Sequence, residues 1–196
     1  MTKVKFGVSQ GEYGVVTGDL VPDGTKKLPG LTTAKLEMTA ELKQLTADDG
    51  PYVVLSGGIS EAKLTVNTWD VGPDAQKDFY GVPTIKGVQV YSKNLKPNDI
   101  ALMFRTKDEE GKGIYFALLK AKYTIPGVDT KTVDGAPDPN ADEIEGTGAP
   151  RGDADTGNLV LVGRESDPEF DLVQFKKWVF PKTEEEAVIS EDVPKA

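Results

Sequence analysis

Alternation of apolar and polar positions dominates the middle of the chain. Residues 61–68, EAKLTVNT, set Ala62, Leu64 and Val66 against Glu61, Lys63, Thr65 and Asn67. That two-residue period predicts a half-buried strand, and threonine and valine suit it. Residues 34–42, AKLEMTAEL, place Ala34, Leu36, Met38, Ala40 and Leu42 on one strand face and Lys35, Glu37, Thr39 and Glu41 on the other. The same stretch also fits a helix, because Leu31, Ala34, Met38, Leu42 and Leu45 are spaced by three and four. Periodicity alone leaves both open. Between the two runs lies KQLTADDGPYVVLSGG, residues 43–58, interrupted by Asp48, Asp49 and Gly50. Those three residues read as a plain turn, a calcium loop or a contact surface. The run Tyr52, Val53, Val54, Leu55 is poor chemistry for a tip that touches only solvent.

Downstream, the pattern predicts one short helix near 73–80, with Pro73 in its first turn and Gly81 ending it. GVQVYS follows, then two stronger runs, DIALMFRT and GIYFALLKAKYTI, joined by the polar KDEEGK as a hairpin. In the second run Tyr115, Ala117, Leu119, Ala121, Tyr123 and Ile125 share a face opposite Ile114, Phe116, Leu118, Lys120 and Lys122. Residues 126–157 then break every period. They hold eight acids against two basic residues, and ten of the 32 are glycine or proline. They read as one long acidic loop, extended and burying little. NLVLVGRE returns to strand. SDPEFDLVQFKKWVF reads as a helix, with Asp167 as N-cap, Pro168 and Glu169 in the first turn, and Leu172, Phe175, Trp178 and Val179 as its buried stripe. The tail from 183 to 196 is acidic and reads as frayed.

Composition narrows the function. The 196 residues include no cysteine and no histidine, which removes disulfides, thiolates, zinc–sulfur sites and the usual neutral-pH acid–base residue. A formal charge of −9 disfavours a nucleic-acid clamp. No run is long enough to span a bilayer as a helix, and the N-terminus lacks a secretory core. The expectation is a protein made and kept in a cytosol or released with its cell.

Candidate constellations dissolve into turns. Asp153 and Asp155 in RGDADTGN are spaced like early calcium ligands, without the glutamate that closes an EF-hand. Arg151-Gly152-Asp153 matches an adhesion tripeptide, and DEEGKG at 108–113 lacks the Ser/Thr of a phosphate loop. An ordinary solvated turn is the leading reading for these. No spacing singles out a pair among the 32 acids for glycoside hydrolysis. No catalytic residue, cofactor or metal site is expected.

KVKFGVSQGEYGVV, KKLPGLTTAKLEM, LTADDGPYVVLSGGISEAKLTV, ALMFRTKDEEGKGIYFALLKAKYTIPGVDTKT and the closing FKKWVFPK together resemble the phi13-type major tail tube proteins of siphophages infecting Gram-positive hosts. The likeness covers about residues 3–182, and the long acidic segment departs from it. The resemblance implies a mainly β, sandwich- or barrel-like tail-tube domain over 1–182, with a short flanking helix and a C-terminal helix, followed by a flexible tail at 183–196. It implies that residues 31–42 are strand. It further implies a structural virion subunit forming stacked hexameric rings, the conduit for DNA ejection. Tail initiator, tape measure and terminator proteins would be its other partners, the virion tail its place, and the host cytoplasm its place of assembly. Asp48, Asp49, Tyr52, Val53, Val54 and Leu55 would contact the adjacent ring. Lys35, Glu37, Glu41, Glu61 and Lys63 would line a lumen through which DNA passes without specific binding. Other readings are a head decoration or head–tail joining protein and, further off, a carboxylate glycosidase or sugar-binding module.

Overall fold

A computed structural model of the chain describes residues 4–47, 50–127, 141–153 and 157–189, with backbone alone at 45–47 and 50–52. The fold is mainly β. Its strands are β1 (Phe6–Val16), β2 (Lys26–Leu28), β3 (Leu31–Ala47), β4 (Gly50–Thr68), β5 (Thr84–Ile85), β6 (Val88–Gln89), β7 (Asp99–Lys107), β8 (Gly113–Tyr123), β9 (Asp142–Gly148) and β10 (Val160–Arg164). Helix α1 (Pro73–Tyr80) follows β4, and α2 (Leu172–Val179) and α3 (Glu184–Ala187) close the chain. One antiparallel sheet runs in the order β2-β1-β7-β8-β9-β4-β3, and β10 also pairs with β8. Strands β5 and β6 form a separate small hairpin.

Strand β8 organises this sheet. Leu102 pairs with Leu118 but Ile100 pairs with Ala121, so β8 carries one residue more than β7 in between. Such a bulge turns the following side chains to the other face. Tyr115, Ala117 and Leu119 therefore pack on one side with Phe175 and Val179 of α2, while Ala121 and Tyr123 join Leu118 on the other. This corrects the single-face reading of 115–125. The bulge also marks a change of neighbour: β10 pairs with residues 114–118 of β8, and β9 with residues 121–123.

The sheet curls around the larger of the two cores. Strand β3 returns to the side of β1, and a Cβ on Gly11 would overlap the Leu31 side chain. Ala62, Leu64 and Val66 of β4 point inward with no exposed surface, as their alternation predicts. Helix α1 covers the interior. Pro73 opens it and the left-handed Gly81 caps it, again as predicted. Its Phe79 meets Tyr13 and Tyr123 edge-on at 4.9 and 5.0 Å, and Tyr13 Oη donates to Asp78 at 3.0 Å.

The acidic stretch is where the sequence reading fails. Residues 142–148, placed in an uninterrupted loop, form β9 between β4 and β8. Ile144 is fully buried. Gly146 and Gly148 are required by close packing: a Cβ on the first would enter the Tyr123 ring, and on the second would press on Leu118 and the Ala62 carbonyl. The segment therefore does bury side chains, and residues 128–140 and 154–156 lie outside the described residues. Helix α2 starts later than predicted. Asp171, not Asp167, is its N-cap and accepts from Val173 N at 2.8 Å, whereas Asp167 accepts from Glu169 N in the preceding turn. The cause is Phe170, which leaves the helical path to stack on Tyr115 at 5.6 Å. The tail is folded through its first part, with α3 capped by Thr183 and Ile189 packed on the second core.

Gly146→Val is expected to destabilise the protein by about 1–3 kcal/mol, as overpacking does. Urea denaturation reads this as a lower midpoint at unchanged slope. Gly57→Ala, whose new Cβ meets nothing nearer than 3.7 Å, should stay within about 0.5 kcal/mol of wild type.

Candidate functional site: a projecting hairpin and a charge-balanced sheet face

Strands β3 and β4 pair from Leu31↔Thr68 to Ala47↔Gly50, so the predicted connection at 43–58 is strand on both sides of a turn. Only the inner part of this hairpin rests on the body. From Met38 outward the described side chains of β3 are exposed, and so are those of β4 from Val53 to Ser60. At about 3.3 Å per residue, the ten residues from Met38 to Ala47 reach about 30 Å.

The arm is apolar as well as exposed. Leu42 stands at 69% exposure and Val54 at 59%, with Met38, Val53, Leu55 and Ile59 also open. Among the described residues β3 pairs with β4 alone, and β4 meets β9 from Lys63 to Thr68. Both margins of the arm therefore carry backbone groups without a second strand among the described residues. Register shifts at 39–40 and 40–42, with left-handed Gly58, interrupt the ribbon. Of the six residues read as an inter-ring contact, Val53, Val54 and Leu55 are on this exposed ribbon. Tyr52 lies in β4 by its backbone, and Asp48 and Asp49 lie outside the described residues.

Four of the five residues read as lumen-lining come together on the outer face of the sheet. Lys35 Nζ lies 2.8 Å from Glu37, Lys63 Nζ lies 3.4 Å from Glu61, and Glu37 stands directly across from Lys63. Hydrogen bonding to Glu61, reinforced by Glu145, holds Lys63 above the ordinary lysine range. Glu41 sits further out, its Cβ beside Gly57. The face continues where sequence reasoning saw no strand. Glu145 lies 3.7 Å from Lys63. Thr147 pairs with both Lys63 and Lys122, and Lys122 is bound to Asp99 at 2.8 Å. The two-residue alternation of Glu143, Glu145 and Thr147 around Ile144 was the available signal.

The adhesion tripeptide is exposed at Gly152 and Asp153, but its arginine is withdrawn from solvent. Arg151 is buried, and it donates to the carbonyls of Trp178 at 2.7 Å, Val179 at 2.8 Å and Leu119. It thereby caps the C-terminus of α2 against the β8 bulge. Burial lowers its pKa to about 10, so it stays charged at neutral pH. Asp155 lies outside the described residues, and among the described residues no three acids are gathered to hold a metal. No described helix is long and apolar enough to cross a membrane.

Glu165 anchors a separate titratable cluster. It accepts from Gly113 N at 2.5 Å, from Tyr115 Oη at 2.7 Å and from Arg105 at 3.3 Å. The hydrogen bond from Tyr115 and that from Gly113 hold its carboxyl below the usual range, while burial first and Glu165 second push Tyr115 up to about 12. The cluster ties the β7–β8 turn to the end of β10.

No protein-family model matches the chain, and no curated protein matches it in sequence. Among solved structures it is similar to a chain of the PVC sheath–tube complex of an extracellular contractile injection system in its extended state. That match has a TM-score of 0.41 and 11% identity over 79% of this chain and 88% of that one. It is also similar to the anti-feeding prophage cap, the AFP tube terminating cap, with a TM-score of 0.43 and 15% identity over the same shares.

Because the folded pKa of Glu165 is depressed, its stabilising contribution is fully present above the unfolded carboxylate value of 4.5 and is lost as pH falls through the folded value. Glu165→Gln should therefore be less stable than wild type at pH 7, with the gap closing below about pH 4.5. Urea midpoints from pH 7 to pH 3 check this; a gap that does not change with pH would refute it.

Proposed function

We propose that the chain is a tail tube subunit: a structural protein that assembles into stacked hexameric rings and forms a conduit for DNA ejection. The observation that carries this reading is the β3–β4 arm, exposed, apolar and unpaired along both margins. Unpaired margins are tolerated poorly in a free protein, and pairing with neighbouring copies removes them. Sixfold rings, and initiator, tape measure and terminator proteins as partners, follow from the resemblance to siphophage tube proteins.

The outer sheet face fits the same role. Its lysines are matched by neighbouring carboxylates, so a passing phosphate backbone meets no continuous basic track to grip. Lys35, Glu37, Glu41, Glu61 and Lys63 are assigned to the lumen, together with Glu143, Glu145 and Lys122. The contact between rings is assigned to the outer arm, including Val53, Val54 and Leu55.

Concentrated purified protein should show sixfold rings or tubes in negative-stain microscopy. Val54→Asp and Leu55→Asp each place a carboxylate in the contact, where an unpaired charge costs several kcal/mol. Because the penalty repeats at every subunit, tubes should shorten or vanish while the thermal melt of the protomer is retained. Asp49→Ala should be milder, since it adds no charge. Full-length tubes from both aspartate variants would remove the ring-to-ring role of this arm, and a fixed oligomer that never extends would favour a decoration or joining protein instead.

A further inference from the structure

Exposed apolar side chains gather again at the small β5–β6 hairpin. Ile85 and Val88 are 58% and 63% exposed. They flank a two-residue turn, Lys86-Gly87, in which both residues are left-handed, at φ 50° and 80°. Such a turn favours asparagine, aspartate or glycine at its first position. Lysine there is a strained choice, and strain held at an exposed tip points to a use for that side chain. Val90 and Tyr91 extend the open apolar surface. From 81 to 98 the chain carries Lys86, Lys93 and Lys96 and no acid, within a protein of net charge −9.

A surface of the opposite character lies between β10 and α2. A shallow hollow of about 250 Å³ is lined by Val162, Gly163, Arg164, Asp167, Glu169 and Phe170. Val162 and, just beyond, Val173 are exposed. Asp167 and Asp171 each give one carboxylate oxygen to a backbone N–H and keep the other, and Glu169 is exposed. Two acids of the lining, Asp167 and Glu169, against Arg164 leave this hollow acidic, with Val162 and Phe170 as its apolar part.

We propose that the β5–β6 tip of one copy, Ile85 to Val88, seats in the Asp167–Glu169 hollow of a neighbouring copy. Charge and apolar character match in both directions: Lys86 meets the carboxylates while Ile85 and Val88 cover Val162 and Phe170. Tip and hollow are different surfaces of one chain, so the contact is head-to-tail and extends or closes a ring according to its rotation. The inference rests on the tube reading in taking the neighbour to be a second copy of this chain.

The absence of cysteine makes pairwise disulfide trapping clean. Thr84→Cys and Ser166→Cys place single thiols on exposed positions beside the tip and the hollow and leave every charge in place. Mixed at high concentration under mild oxidant, the two full-length variants should give a mixed disulfide dimer, at least tenfold above a control pair with Asp23→Cys in place of Thr84→Cys. Adding Lys86→Glu to the first, or Glu169→Lys to the second, should cut the yield about tenfold, and combining the two reversals should restore it. Rings or tubes without the mixed disulfide would overturn this contact and leave the tube reading standing. The disulfide without rings or tubes would support the contact and overturn the tube. Neither product would overturn both, and binding of the tip to anionic phospholipid vesicles without any disulfide would assign it to a membrane surface instead.

Discussion

The extra residue in β8 decides where everything else goes. A sheet strand has two faces, and a bulge exchanges them. In β8 the exchange comes where Leu119 gives way to Lys120. Before it, Tyr115, Ala117 and Leu119 look toward α2; after it, Ala121 and Tyr123 look into the curled sheet under α1. One strand thereby serves two cores that lie on opposite sides of it. The backbone groups freed at the bulge are used. Leu119 N bonds to the Leu159 carbonyl at 3.0 Å and Ala149 N to the Lys120 carbonyl at 2.8 Å, while the Leu119 carbonyl accepts from Arg151. The buried guanidinium donates to carbonyl dipoles at the end of α2, which meet its charge. Removing it would leave those carbonyls without donors, so the bulge, Arg151 and the C-terminal helix form one mechanical unit.

The arm obeys different physics. The body is held by burial, but beyond Met38 the hairpin has, among the described residues, its own cross-strand hydrogen bonds alone, and an isolated two-stranded ribbon is marginal in water. Its order depends on what covers it. Features along the margin discourage premature pairing: lysines at 35 and 43 and the interruption at Gly57-Gly58 break a flat template for aggregation. In the assembly proposed above, the same margins become the joint, and the energy that orders the arm comes from the neighbouring subunit. Local stability would then differ sharply between free and assembled chains.

The sequence made some of this legible and hid the rest for definable reasons. Strands that bury one face only, such as 61–68, keep the simple alternation and were readable. So was α1, because Pro73 and Gly81 mark both ends. The face change in β8 was invisible, since both of its faces are apolar early and nothing in the residue order records an unpaired position. Strand β9 was hidden by composition: it has one buried branched side chain, Ile144, and two glycines demanded by Tyr123 and Leu118 across the sheet. Glycine there reports the size of its neighbour, which a local window cannot see. The start of α2 was misplaced because Asp167 and Asp171 both cap a turn, and only the Phe170–Tyr115 stack decides between them.

Hiding β9 also hid the composition of the outer sheet face, and with it the reason the charges balance. Taken from β3 and β4 alone, the face has Lys35 and Lys63 against Glu37, Glu41 and Glu61. With β9 and the end of β8 in place it gains Glu143, Glu145 and Lys122, and the lysines fall into pairs with carboxylates within 4 Å. At physiological salt such pairs are screened beyond about 8 Å, so in the tube proposed above this face would offer a passing polyanion weak net repulsion and no unpaired lysine at 35, 63 or 122. A purely acidic face would repel DNA more strongly, but it would also repel its own copies across a closed ring. In the ring proposed above, pairing the lysines with acids inside each protomer would relieve that repulsion before assembly. Residues 128–140 add Asp129, Asp134 and Asp138 against Lys131 to the chain's excess of negative charge, so that excess is not confined to the paired face.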